Sequence, residues 1–227
     1  MKIKHRHCLF VILMVLSLAH TAWSAEFAQI NAHTSIVTPE GEGPFPVVMM
    51  IPGCGGFSPS GRVSQQKWAA MGFMSMRIDL IAANEVANCR ELSTDIAIKN
   101  SVDAIRRLSQ LPRVKTDAIT LLGISWGGAV AMAAAAKRLP VAAIVLLYPA
   151  CRFTRHLPAQ AIALPTLVIH GEADLIAPLK ACRTKFSKFE RLRLLTFAGA
   201  PHGFLGWNQF ESETRQARNE YQAFFRR

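Results

Sequence analysis

The stretch Leu121-Leu122-Gly123-Ile124-Ser125-Trp126-Gly127-Gly128 decides how the chain is read. It joins a continuous apolar run, Ala118 to Leu122, to an alanine-rich segment, Gly127 to Leu139, so the pattern predicts a buried strand, a sharp turn and a helix. Such a turn is too tight for side chains on either side of the serine, which accounts for glycine at 123 and 127 and lifts the Ser125 hydroxyl above the sheet edge. The helix that follows points the positive end of its dipole at the same place and favours negative charge developing there. A serine hydroxyl is a weak nucleophile until a base takes its proton, so the pattern calls for a histidine and an acid further along.

Working outward, short apolar runs alternate with longer amphipathic stretches, the pattern of a parallel sheet with crossover helices. The runs Val47 to Ile51, Phe73 to Ile78, Ala118 to Leu122, Ala142 to Tyr148 and Thr166 to His170 predict buried strands, with a sixth at Leu192 to Phe197 and an N-terminal strand pair around Phe27 to Val37. Helices are predicted over Val63 to Met71, Arg90 to Leu111, Gly127 to Leu139, Leu179 to Ser187 and Glu213 to Phe225. In the second, Ile96, Val102, Ile105 and Leu108 form the expected apolar stripe opposite Lys99, Asp103 and Arg107, and Pro112 is expected to end it.

The required partners stand in order. Gly171-Glu172-Ala173-Asp174 follows the strand Thr166 to His170, with Pro178 closing the loop, and Gly199-Ala200-Pro201-His202-Gly203-Phe204 follows the strand ending at Phe197. Loops after parallel strands share one sheet edge, so Asp174 and His202 are placed beside Ser125 as orienting acid and base. His33, His156 and His170 compete for the base and Glu172 for the acid, but none of the three histidines occupies the last loop before the final helix, and Asp suits a short buried bond to the imidazole. Asp79, which precedes Ser125, is read as bonding backbone in its own turn. Oxyanion donors are expected from the N–H of Trp126 and of Cys54, the latter in Ile51-Pro52-Gly53-Cys54-Gly55-Gly56. Trp126, Phe57 and Phe204, with Leu205 and Trp207, are candidates for a pocket wall or for core packing.

A basic stretch from Met1 to His7, an apolar run Cys8 to Ala19 and small residues around Ala22-Trp23-Ser24 read as an export signal over residues 1–24, leaving a single domain at 25–227. The apolar run is shorter than the roughly 20 residues of a membrane span. Loss of Lys2, Lys4 and Arg6 takes the formal charge from +11 to +8. The bases are scattered and no aromatic residues interleave with them, which argues against a nucleic-acid partner. Without Cys8 four of the five cysteines remain, Cys54, Cys89, Cys151 and Cys182, an even set that suggests disulfides in an exported chain. Their spacing is not that of a zinc or CxxC redox site, and no metal or cofactor is expected.

With these residues placed, Pro52-Gly53-Cys54-Gly55-Gly56, Gly123 to Gly128, His170 to Asp174 with Pro178, and Pro201-His202-Gly203-Phe204 resemble the dienelactone hydrolase family of the α/β-hydrolases, over nearly the whole mature chain. The resemblance implies a mostly parallel twisted sheet of about seven or eight strands flanked by helices, little or no lid, and metal-free hydrolysis of a small-molecule ester or lactone. It departs at the nucleophile, where dienelactone hydrolases carry cysteine and this chain has Ser125. Arg77, Arg90 and Arg152 are the candidates for a substrate-carboxylate anchor. In the strand order of the fold the loops after Ile51 and Ile78 are neighbours, as are those after Tyr148 and His170, so the expected bridges are Cys54–Cys89 and Cys151–Cys182. A peptidase or amidase with the same triad, or a silent binding protein on the same fold, stays open at this point.

Overall fold

The alternation of apolar runs with amphipathic stretches produces one seven-stranded sheet. The computed structural model describes residues 33–57, 61–154, 157 and 162–226. The export signal, Phe27 and His156 lie outside the described residues. The strands are β1 (Thr34–Val37), β2 (Phe45–Ile51), β3 (Met74–Ile78), β4 (Val114–Ile124), β5 (Ala143–Leu147), β6 (Thr166–Gly171) and β7 (Leu192–Phe197), arranged in the order β1-β3-β2-β4-β5-β6-β7. All pairings are parallel except β1 with β3. The helices are α1 (Gly61–Ala70), α2 (Leu80–Ala83), α3 (Thr94–Leu108), α4 (Trp126–Ala135), α5 (Arg183–Phe186) and α6 (Glu211–Phe225). This is the mostly parallel, helix-flanked sheet expected from the pattern.

The inner stretches of the central strands are almost continuously apolar because both faces are covered, with Thr120, Thr166 and His170 as buried polar exceptions. Val47, Met49 and Ile51 of β2 belong to the core under α3 and α4, while Val48 and Met50 belong to the core that includes Trp68 of α1 and Ala217 of α6. Every residue of α4 is buried, and its alanines and glycines let it lie close on the sheet. On the opposite face Trp68, Phe73, Tyr221 and Phe225 meet in tilted and edge-to-face contacts that join α1 to α6, the geometry that aromatic quadrupoles favour.

Several boundaries differ from expectation. The second predicted helix does not begin at Arg90 or run to Pro112; α3 starts at Thr94 and ends at Leu108, with the Ser109 hydroxyl donating to the Arg106 carbonyl. Ile96 is 45% exposed rather than part of the apolar stripe; Ala97, Ser101 and Ala104 face inward instead, because α3 packs against α4. Lys99 pairs with Asp103 at 3.4 Å on the outer side, as the i, i+4 spacing allows. The segment Leu179 to Ser187 is a short 3-10 turn, Leu179–Cys182, followed by the four residues of α5, which bury nothing. Helix α4 stops at Ala135 rather than Leu139. The described part of the expected N-terminal strand pair is one strand, β1, whose partner is β3. Strand β4 extends outward to Val114, beyond the apolar run that marked it.

Both disulfides are closed. Cys54–Cys89 joins the loop after β2 to the segment after α2, where the Cys89 N–H also donates to the Cys54 carbonyl at 2.9 Å. Cys151–Cys182 joins the turn after β5 to the 3-10 turn after β6. The sequence separations are 35 and 31 residues. Loops of that length lose about 2 to 4 kcal/mol of unfolded-state entropy on closure. Replacing Cys151 and Cys182 together by serine is therefore expected to lower the unfolding free energy by about 2 to 4 kcal/mol, read as a drop in denaturant midpoint, with the slope rising because the freed unfolded chain exposes more surface.

Candidate active site

Ser125 sits at the turn between β4 and α4 with φ 52° and ψ −114°, a conformation that non-glycine residues rarely adopt. Strain of this kind costs of order 1 to 3 kcal/mol and persists only where the surroundings over-determine it. Here they do. The Ser125 N–H donates to the Leu147 carbonyl at 2.9 Å, and the Ser125 carbonyl accepts from Gly128 at 3.0 Å and from Ala150 at 2.8 Å. The turn is as crowded as the sequence requires. A Cβ at Gly127 would stand 2.2 Å from the Pro52 carbonyl oxygen, and one at Gly123 would stand 2.6 Å from the Gly127 carbonyl oxygen.

Asp174 and His202 reach this turn from the loops after β6 and β7. The Asp174 side chain is fully buried; its Oδ1 accepts from the N–H groups of Ile176 at 3.0 Å and Ala177 at 2.7 Å, and its Oδ2 lies 2.6 Å from His202 Nδ1. A carboxylate only accepts here, so Nδ1 carries the imidazole proton and Nε2 is left bare. That nitrogen is 2.8 Å from Ser125 Oγ, so the hydroxyl donates to it. The two loops interlock closely. A Cβ at Gly171 would fall 2.1 Å from the Ala200 carbonyl oxygen, and the Ala173 N–H donates to that same carbonyl at 3.1 Å.

Further side chains brace the arrangement. Tyr148, just after β5, has φ 39° and sets its ring edge-on to the His202 ring, 5.0 Å between centroids. Burial pushes its phenol up to about 12, so it stays neutral beside the imidazole. Arg152 donates from Nη1 to the Ile176 carbonyl at 2.9 Å and ties down the outer side of the acid loop. Asp79 caps α2, with Oδ1 accepting from Ile81 and Ala82, while its Oδ2 accepts from the Phe57 N–H at 3.3 Å. That last bond fastens the Gly53 to Phe57 loop to the end of β3.

The remaining candidates are placed as follows. Trp126 is the first residue of α4, so its N–H has no acceptor within the helix; its indole is fully buried in the core under α3 and α4. Phe204 is also fully buried, against Phe197, Phe210 and Tyr148. Cys54 stands next to Gly53, whose Cβ position is 3.7 Å from Ser125 Cβ, which brings that loop alongside the nucleophile. Phe57 and Leu205 do line a cleft of about 760 Å³, together with Gly53, Ile124, Met71 and Trp68. Trp207 is 47% exposed. Among the rivals, Glu172 accepts from Thr196 Oγ1 at the surface and His33 lies in an exposed turn before β1. Arg77 stacks on the Phe57 ring at 3.9 Å, and burial lowers its proton affinity. Arg90 is exposed. The sequence reading gave Tyr148 no role and His170 only that of a rival base. Tyr148 ends a strand just before Pro149, in the loop set that carries the site, and that position was the available signal.

Similarity to known proteins agrees with this geometry. No curated protein matches the sequence. Among solved structures, a dienelactone hydrolase from Anabaena variabilis is 23% identical, with a TM-score of 0.65 over 84% of this chain and 90% of its own. Est1E from Butyrivibrio proteoclasticus, solved with ferulic acid bound, is 17% identical, with a TM-score of 0.66 over 84% and 94%. Thermogutta terrifontis esterase 2, phosphoramylated by tabun, is 19% identical, with a TM-score of 0.66 over 84% and 88%. These likenesses concern the fold. The model of the dienelactone hydrolase family matches residues 32–226, nearly the whole of the chain that holds Ser125, Asp174 and His202, and the protein belongs to that family.

Proposed function

We propose that this protein hydrolyses carboxylic esters or lactones through an acyl-enzyme on Ser125. One observation carries the reading: an unbroken line of hydrogen bonds runs from Ser125 Oγ through the His202 ring to buried Asp174. Ser125 Oγ attacks the carbonyl carbon as its proton passes to His202 Nε2, and the imidazolium so formed is stabilised by Asp174. The carbonyl oxygen takes the negative charge and is held by the N–H groups of Trp126 and Cys54; one such donor contributes roughly 3 to 4 kcal/mol. His202 then gives its proton to the departing alkoxide as the C–O bond breaks. Water attacks the acyl-enzyme in the second half, again losing its proton to Nε2, and Ser125 is restored. In a lactone the alkoxide and the acid stay in one product.

The cleft lined by Phe57, Met71, Ile124 and Leu205, with Lys67 and Arg218 also on its wall, supports a substrate arm that is apolar along its body and polar or anionic at one end. The expected export is supported by the pairing of all four cysteines after Cys8. Among the described residues no helix is long and apolar enough to cross a membrane, and no group of three or more His, Cys, Asp or Glu is placed to hold a metal ion.

Reaction with an organophosphorus compound of the related Thermogutta esterase points to the direct test. A fluorophosphonate probe is expected to label the wild-type protein, with the adduct on Ser125 by mass spectrometry and none in Ser125→Ala; absence of label from folded wild-type protein would sink the hydrolase reading. In Asp174→Asn the amide at the acid position favours the wrong imidazole tautomer, so kcat on a p-nitrophenyl ester is expected to fall by on the order of 10⁴ with the fold retained by circular dichroism. Leu205→Trp narrows the cleft; KM is expected to rise roughly tenfold for long-chain p-nitrophenyl esters and to change little for the acetate.

A further inference from the structure

His170 is an ionisable side chain beside the triad to which the reaction above gives no part. It lies within β6 and is fully buried. Its Nδ1 is 2.9 Å from the Gly171 carbonyl oxygen, which can only accept, so Nδ1 carries the proton. Burial disfavours the charged ring and keeps it neutral, and the second nitrogen, Nε2, is therefore a bare lone pair. Among the described residues Nε2 has no hydrogen-bond partner, and it lies 4.0 Å from Asp174 Oδ2, the oxygen that accepts from His202. The titratable groups acting on the ring are Asp174 on the same loop, which favours its charge, and His202 on the loop after β7, which opposes it; the backbone of Gly171 and Ala177 also favours charge. A neutral ring thus stands among acceptors with one proton to give, and that proton points away from the triad.

We propose that His170 is a positioning residue for Asp174: the neutral Nδ1–H tautomer offers Oδ2 no donor and leaves that oxygen to His202, and on protonation the new Nε2–H competes for it. The proposal rests on the triad reading given under Proposed function. An imidazolium forms on His202 as Ser125 attacks, and Oδ2 stabilises it best when no second cation draws on the same oxygen. Acid conditions thus weaken the base twice, once by protonating His202 and once by turning its carboxylate toward His170.

Two isosteric variants separate this role from simple packing. An asparagine amide nitrogen takes the place of Nδ1 and a glutamine amide nitrogen that of Nε2. His170→Asn keeps the bond to Gly171 and has no proton to gain; at about pH 8 its kcat/KM is expected within about threefold of wild type, and its acid limb is expected to follow a single proton where the wild-type limb is steeper. His170→Gln presents an N–H to Oδ2 and is expected to lose about tenfold or more in kcat with KM little changed. Equal losses in the two variants, or superimposable acid limbs for wild type and His170→Asn, would overturn the proposal.

Nitrogen NMR of histidine-labelled wild-type protein tests it without a variant. A buried ring in the Nδ1–H form at neutral pH, gaining its second proton only in acid, is the expected result, and an Nε2–H tautomer or a ring charged at neutral pH overturns it. The tautomer is read without turnover. Its failure removes the role of His170, whereas failure of Ser125 to take the phosphonate removes the hydrolase reading beneath it.

Discussion

The catalytic edge depends on one close approach: the first turn of α4 lies against the ends of β2 and β5 with no room for a side chain. At Gly127 the backbone runs so near the carbonyls of Ile51 and Pro52 that even a methyl group would overlap them. This contact holds Ser125 in its strained conformation, since the same turn supplies the Gly128 N–H and the segment after β5 the Ala150 N–H that fix its carbonyl. It also brings Gly53, at the head of the loop after β2, beside the serine. Ser125 and the loop after β2 are thus located by a single packing contact. Lengthening that contact would relax the φ of Ser125 and separate Cys54 from Trp126 in one movement.

A second contact of the same kind joins the other two members of the site. Gly171 meets the Ala200 carbonyl, so the acid loop and the histidine loop are pressed together before any side chain takes part. The 2.6 Å bond between Asp174 and His202 follows from that backbone approach and from the two N–H groups that hold the other carboxylate oxygen. Parallel strands β6 and β7 set the register of the approach, since Gly171 is paired with Phe197 at the point where both strands end.

This accounts for what the sequence made legible. Glycine around Ser125 and glycine before Asp174 are direct traces of backbone contacts, and a bare sequence displays them. The central strands are equally plain, because burial on both faces selects mostly apolar residues. What could not be read depends on which way a helix turns. Spacing puts Ile96 in the apolar stripe of α3, yet the interface with α4 takes Ala97, Ser101 and Ala104, because two close-packed helices exclude a long side chain between them. Of the two readings the sequence leaves for Trp126, pocket wall or core packing, the buried indole takes the second. For Tyr148 the sequence offers only its position at a strand end; the contact with His202 arises with a φ of 39° in the folded chain.

The two faces of the sheet divide the labour. All four bridged cysteines pack into the core under α3 and α4, so that face is tied by covalent links to the loops after β2, β5 and β6. The cleft opens on the other face, where Trp68, Met71, Leu205 and Tyr221 come from α1, α6 and the loop between β7 and α6. Aromatic contacts hold that side together, and these tolerate exchange of one large side chain for another better than a backbone contact tolerates an added methyl. The geometry of Ser125, His202 and Asp174 is accordingly set from the rigid face, and the shape of the cleft from the adaptable one. Substitutions in α1 or α6 can therefore reshape the cleft without passing through the contacts that hold Ser125, His202 and Asp174.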